Sequence, residues 1–348
     1  MHFFVLLFVL PLCFIGGVID TYAIDGDIVQ YEIYDESGNT LTFASEAEVG
    51  DTILTKDFSE YQIYEILGQK CNARFLRKLN PPVAGKSRSN LSNKSKKICL
   101  YMTHNDESYT LSDGYDSIYG AGGIHDVAKN LKSHLQKQGI DIVLDETLHI
   151  PHNSSAYSRS GVTAKSLYNN ENPDALFDIH RDGVSRKYYL ASFDGQEYSK
   201  IRIVVGKSNP NFEENYKFAQ EVFAAGNELY PWLFLDVYCG KGHYNQQLKS
   251  TNLLFEMGTY LIEKELVLKS VPYLADTIDN VLYSNVNQVA PDHNKGEIIK
   301  GEQTDSLMPE NKPQIAQKQS AFSLVLVSIL LGGLLSFAGV SLFRKKIK

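Results

Sequence analysis

At 348 residues the chain can form one large domain or two modest ones, and its core needs no metal or disulfide staple. A net charge of -7, from 34 Lys+Arg against 41 Asp+Glu, leaves no basic footprint, so no nucleic-acid partner is expected. Cys13, Cys71, Cys99 and Cys239 show no CxxC or CxxH spacing, which argues against a cysteine zinc site or a disulfide framework.

In chain order, residues 3–18, FFVLLFVLPLCFIGGV, form an apolar segment preceded only by His2, and residues 1–23 are expected to be a signal sequence or an N-terminal anchor, with cleavage near Ala23. From 24 to 77 short runs rich in Ile, Tyr, Thr and Phe alternate with turn residues, which predicts a small all-β domain. Residues 78–97 carry paired prolines, lysines and serines without apolar periodicity and read as a linker. From 98 to 283 strand-like runs (ICLYM, GIDIVLD, ALFDIH, IRIVVG, LFLDVY, NLLFEMG) alternate with helical patterns, such as HDVAKNLKSHLQKQ with Val127, Leu131 and Leu135 on one face. That alternation predicts an α/β fold with a mostly parallel central sheet flanked by helices. Residues 284–320 form a polar tether. Residues 321–343 are 23 uncharged residues, long enough for a C-terminal transmembrane helix, and the basic tail 344–348 is expected on the cytoplasmic side. Everything between the two apolar segments is then extracytoplasmic.

Catalytic groups in parallel sheets gather at the carboxyl ends of strands. Three expected strand ends carry the parts of a hydrolytic zinc site: His104 in YMTH, His180 in ALFDIH and Glu256 in NLLFE. Catalytic zinc takes three ligands from His and carboxylate and leaves one position for water. His104 and His180 supply two. Glu107, three residues past His104, can supply the third; His125 or Asp126, at the start of the next helix, are alternatives. His149 and His152 lie in a loop closer to a rim. Glu256 is the candidate proton carrier between water and leaving amine. Arg181, beside Asp182, is read either as a loop-fixing ion-pair member or as a substrate contact.

The ordered segments THNDESY, AYSRS, LFDIHRDG, RIVVGKSNPNFEENYKFA, YNQQL and NLLFEMGTYL resemble the stage II sporulation protein P family of cell-wall amidases over residues 98–283. The stretches YEIYDESGNTL and EVGDTI also resemble the segment that precedes the catalytic domain in some members. The resemblance implies the fold of zinc N-acetylmuramoyl-L-alanine amidases and a Zn2+ cofactor. It implies cleavage of peptidoglycan between N-acetylmuramic acid and L-alanine, with endopeptidase action on crosslinks, at the sporulation septum. Stage II sporulation proteins D and M are the implied partners. Carried over residue by residue, it puts metal ligation on His104, Glu107 and His180 and catalysis on Glu256; Arg181 and Asn245 of YNQQL are the candidate substrate contacts. Two departures stand out: the clear span here is C-terminal rather than N-terminal, and MGTYLIEKE follows Glu256 where the family has Val-Gly and an NT loop. A zinc endopeptidase confined to stem-peptide crosslinks and an inactive wall-binding scaffold are the alternative readings.

Overall fold

The Ile, Tyr and Thr runs of the first third become strands because every second side chain finds an apolar face: Ile33, Ile53 and Ile63 are fully buried. The computed structural model describes residues 30–82 and 96–283. The first apolar segment, most of the lysine-rich linker, the tether and the expected span at 321–343 lie outside the described residues. No described helix is long and apolar enough to cross a membrane.

The strands are β1 (Tyr31–Tyr34), β2 (Thr40–Ala44), β3 (Thr52–Leu54), β4 (Ser59–Leu67), β5 (Lys70–Lys78), β6 (Lys97–Tyr101), β7 (Asp141–Leu144), β8 (Ala175–Asp182), β9 (Leu190–Phe193), β10 (Gln196–Ser199), β11 (Ile201–Gly206), β12 (Phe234–Gly240) and β13 (Asn252–Thr259). Between them run the short helices α1 (Thr110–Asp113) and α4 (Arg186–Tyr189) and the long ones α2 (Ile124–Lys137), α3 (Ala156–Glu171), α5 (Phe212–Leu229) and α6 (Lys264–Tyr283). All but β9 and β10 form one sheet of 11 strands in the order β2-β1-β5-β4-β3-β12-β11-β13-β8-β6-β7. From β12 to β7 the pairings are parallel except for β11 with β13. The result is a mixed α/β fold.

Residues 31–78 are all β, as their pattern predicts, and β3 pairs antiparallel with β12, so these strands continue the same sheet. They then curl. β2 stands at the far edge of the strand order, yet Thr42 on it hydrogen-bonds Asp236 of β12 and Arg202 of β11. Phe43 stacks on Tyr188, and Gln30 accepts a bond from the Ser185 amide. The curl encloses a small core of Ile33, Ala44, Ile53, Ile63, Cys71 and Ala73 against Tyr238. The main core fills the space between the sheet and α2, α5 and α6, with Leu131, Phe218, Phe223 and Leu274 fully buried. Cys71, Cys99 and Cys239 are buried free thiols.

Candidate functional site

β6 ends at Tyr101, so His104 lies three residues beyond the strand in a turn closed by the Glu107 amide on the His104 carbonyl. That turn is tied to the next strand: Asp178 of β8 accepts from the Thr103 amide at 2.8 Å and from its hydroxyl at 2.6 Å. His180 lies within β8 rather than at its end. Strand alternation therefore puts Asp178, His180 and Asp182 on one face, with Phe177 and Ile179 in the core behind. In the parallel register Glu256 of β13 sits beside His180. Past Glu256 the register shifts where Gly258 adopts φ 77°, a conformation that favours glycine.

These placements converge. One ligand atom each from His104, Glu107 and His180 lies within 4.8 Å of the other two. His104 Nδ1 is 3.0 Å and His180 Nδ1 3.5 Å from Glu107 Oε1, while Glu107 Oε2 accepts from the Arg181 amide at 2.9 Å. His180 Nε2 stands 3.0 Å from Asp178 Oδ1, at ion-pair distance though off hydrogen-bond alignment. Among the described residues no other group of three such side chains comes together in this way. His125 instead faces Glu146, and Asp126 pairs with Lys264, on the far side of the α2 N-terminus. His149 is buried, with its ring nitrogens near the Met102 carbonyl and the Thr163 hydroxyl.

Two buried glutamates in this site are driven in opposite directions. Burial alone pushes Glu107 up, but the charge of His180, hydrogen bonds from His104 and His180, and the Arg181 charge outweigh it and hold it well below the usual carboxylate range. For Glu256, burial and then the Asp182 carboxylate push the group well above that range, against His180 and Arg181. Its Oε2 is buried and has no hydrogen-bond partner in the structure. Burial lowers His180, but Asp178 and Glu107 more than reverse this and raise it.

Arg181 lines the same pocket, and its guanidinium donates to the Ser108 and Asp116 carbonyls; it is Arg202, not Arg181, that pairs with Asp182, at 2.9 Å. Asn245, in a left-handed backbone conformation, directs its amide to Ser160 Oγ at 3.0 Å and lines an adjoining cavity. The sequence pattern did not single out Asp178, Tyr157 or Arg202. Asp178 was legible as the residue two before His180 on the same strand face. His152, expected at the rim, stacks on the His104 ring with centroids 3.9 Å apart, and Tyr157 lies parallel to His180 at 6.1 Å. The pocket holding His104, Glu107, His180, Arg181 and Glu256 has a volume of about 260 Å³.

The donor set suits a metal ion of the zinc type: two imidazoles and a carboxylate on buried or half-buried positions, a carboxylate behind His180, and an unpaired carboxylate oxygen beside them.

The chain is 32% identical over 181 residues to the stage II sporulation protein P of Bacillus subtilis (strain 168), an alignment covering 47% of this chain and 45% of that protein. It thus spans about half the length of the curated relative it matches. Among solved structures it is similar to an N-acetylmuramoyl-L-alanine amidase from Clostridium difficile 630, at 18% identity and a TM-score of 0.35 over 53% of this chain and 92% of that one. It is also similar to the CwlD amidase from Clostridioides difficile in complex with the GerS lipoprotein, at 15% identity and a TM-score of 0.34 over 53% and 95% of the two chains. The family model for stage II sporulation protein P matches residues 33–279, across both the curled strands and the candidate metal centre, and the chain belongs to that family.

Proposed function

We propose that the chain is a zinc-dependent peptidoglycan hydrolase that cuts the amide between N-acetylmuramic acid and L-alanine. The observation that carries this reading is the convergence of His104, Glu107 and His180 in one pocket with a buried, unpartnered oxygen of Glu256. The three would hold Zn2+, which when bound supplies Lewis acidity and a water ionising near pH 7. Glu107 is kept as the anion a ligand must be by its imidazole neighbours and the Arg181 amide. The charge of Asp178, 3.0 Å from His180 Nε2, raises the basicity of that ring. Glu256 takes a proton from the attacking water at Oε2 and returns it to the departing amide nitrogen; that oxygen is buried beside the candidate ligands and has no other hydrogen-bond partner. Arg181, lining this pocket, and Asn245, lining the adjoining cavity, are assigned to substrate contact on that placement.

Family membership supports septal wall remodelling during sporulation, with stage II sporulation proteins D and M as partners and, from the sequence of 321–348, a C-terminal membrane anchor with the hydrolase outside. Mass spectrometry of purified wall digested with the full chain tests the activity. New L-alanine amino termini and peptide-free muramic acid are expected. Products opened only at crosslinks would replace the amidase by an endopeptidase, and bound zinc without any product would leave a wall-binding scaffold.

A further inference from the structure

A second cavity, of about 810 Å³, adjoins the catalytic pocket and shares Ser45, Glu46, His104, His152, Tyr157, Tyr238 and Tyr244 with it. One side of it is built by the curled half, through Tyr31 of β1 and residues 45–48 and 51 of the loop between β2 and β3, and the other by the loop after β12.

We propose that this cavity is the subsite for the glycan portion of the wall, whose sugar rings stack on Tyr31 and Tyr244. The inference rests on the reading of the chain as a wall hydrolase. Three observations favour sugar over stem peptide. The first is the lining: Tyr31, Tyr157 and Tyr244 are half-buried, so each ring is anchored yet reachable, and the C–H faces of a sugar are attracted to the negative face of an aromatic ring.

The second is the way Tyr244 is held. Its backbone is left-handed, at φ 50°, an unfavourable conformation for a side chain of this size. The ring lies over three glycines: a Cβ on Gly242 would come within 2.3 Å of Tyr244 Cζ, one on Gly206 within 3.0 Å of its Cδ2, and one on Gly240 within 3.2 Å of its hydroxyl. Tyr157 meets the ring edge-on at 5.3 Å. The aromatic surface is thus fixed before a ligand arrives, which limits the entropy lost on binding.

The third is charge. Stem peptides carry carboxylates, whereas the substrate's glycan, its lactyl groups tied up as amides, is neutral. The cavity lining contains three carboxylates, Glu46, Glu48 and Asp51, and one lysine, Lys241, which is paired with Glu48 at 2.7 Å. Asp51 accepts a bond from the Tyr238 hydroxyl at 2.8 Å. Such a lining repels a free carboxylate and tolerates hydroxyls and acetamido groups.

The test uses the full chain and, as a neutral stand-in for the glycan, an N-acetylglucosamine tetramer followed by calorimetry. The tetramer should bind the parent, and Tyr31→Ala and Tyr244→Leu should each weaken it about tenfold, the ordinary worth of one aromatic contact. A sugar-free stem peptide should show no such dependence. Circular dichroism and thermal melting check both variants; Tyr31 lies on β1, away from the glycine-cradled loop that holds Tyr244, so a local packing defect in one does not account for weakened binding in both. On hydrolysis, the ratio of kcat/KM for fragments of several disaccharides to that for a single disaccharide-peptide should fall about tenfold in Tyr31→Ala. No tetramer binding by the parent, equal binding by the variants, or a loss confined to the stem peptide would overturn the assignment. Tetramer binding without release of peptides from wall would instead overturn the hydrolase and leave the subsite standing.

Discussion

The two halves of the sheet solve different problems with the same pleated backbone. In the parallel half, β6 and β8 run side by side with their carboxyl ends together, so His104, Glu107 and His180 meet although Glu107 and His180 stand 73 positions apart in the chain. In the other half, antiparallel except where β1 pairs parallel with β5, β1 to β5 carry none of the three; their curl brings Ala44, Ser45 and Glu46 to the pocket as a wall. Arg202 joins the halves, bonded at once to Asp182 of β8, Asp236 of β12 and Thr42 of β2. On the proposed function, chemistry belongs to the parallel half and its confinement to the other, so substitutions in each should fail differently.

The largest effect is expected in the parallel half. His104→Ala and His180→Ala should each abolish wall hydrolysis and lower zinc content while far-UV circular dichroism stays unchanged, because the core behind β8 is made by Phe177 and Ile179. Full zinc occupancy in both variants would mean that the metal sits elsewhere and that the division between halves is misdrawn.

At the seam the loss should be of stability. Asp236→Ala leaves the Arg202 guanidinium buried, with 3% of its side chain exposed, and short of a partner. Asp182 still balances the charge, so the loss is of two charge-assisted hydrogen bonds, each worth about 1.5–3 kcal/mol. Denaturant titration of the zinc-loaded protein measures it; a variant as stable as the parent would show that the halves do not depend on Arg202.

How much of this could be read from sequence differs between the halves too. His104, Glu107, His180 and Glu256 stand out because polar residues follow apolar strand runs, and the structure brings all four into one pocket. The strand ends themselves were displaced: β6 stops before Met102, and β13 runs on past Glu256 to Thr259. The pairing of β3 with β12 was invisible, since periodicity reports which face of a strand is buried and not which strand lies next to it. The β9–β10 hairpin went unread although Asp194 and Gly195, both at positive φ, are its turn signal. His152 looked like a rim residue because nothing local reveals that its loop folds back onto His104.

Glu256→Gln sharpens the comparison within the parallel half. A carboxylate that only carries protons can become an amide without releasing metal, so zinc should be retained and the rate should fall about a hundredfold or more. Loss of zinc would make Glu256 a ligand in place of Glu107, whose carboxylate is also held by His104 and the Arg181 amide.

The smallest effect is expected at Thr42. Its hydroxyl donates to Asp236 and accepts from Arg202 Nη2 at 2.7 Å, so it is the point at which β2 is pinned over the seam. Thr42→Val keeps the shape and removes the hydroxyl, leaving a guanidinium N–H and a carboxylate oxygen each one bond short in a buried setting. Such a deficit costs about 1–3 kcal/mol. Denaturant midpoints should fall accordingly while zinc content stays at the parental level, because β2 supplies no ligand. Hydrolysis of wall measured well below the melting temperature should also be retained. If hydrolysis falls and the midpoint does not move, the bond positions Ser45 and Glu46 at the pocket rather than holding the fold together, and the antiparallel half would then share in the chemistry it was set against.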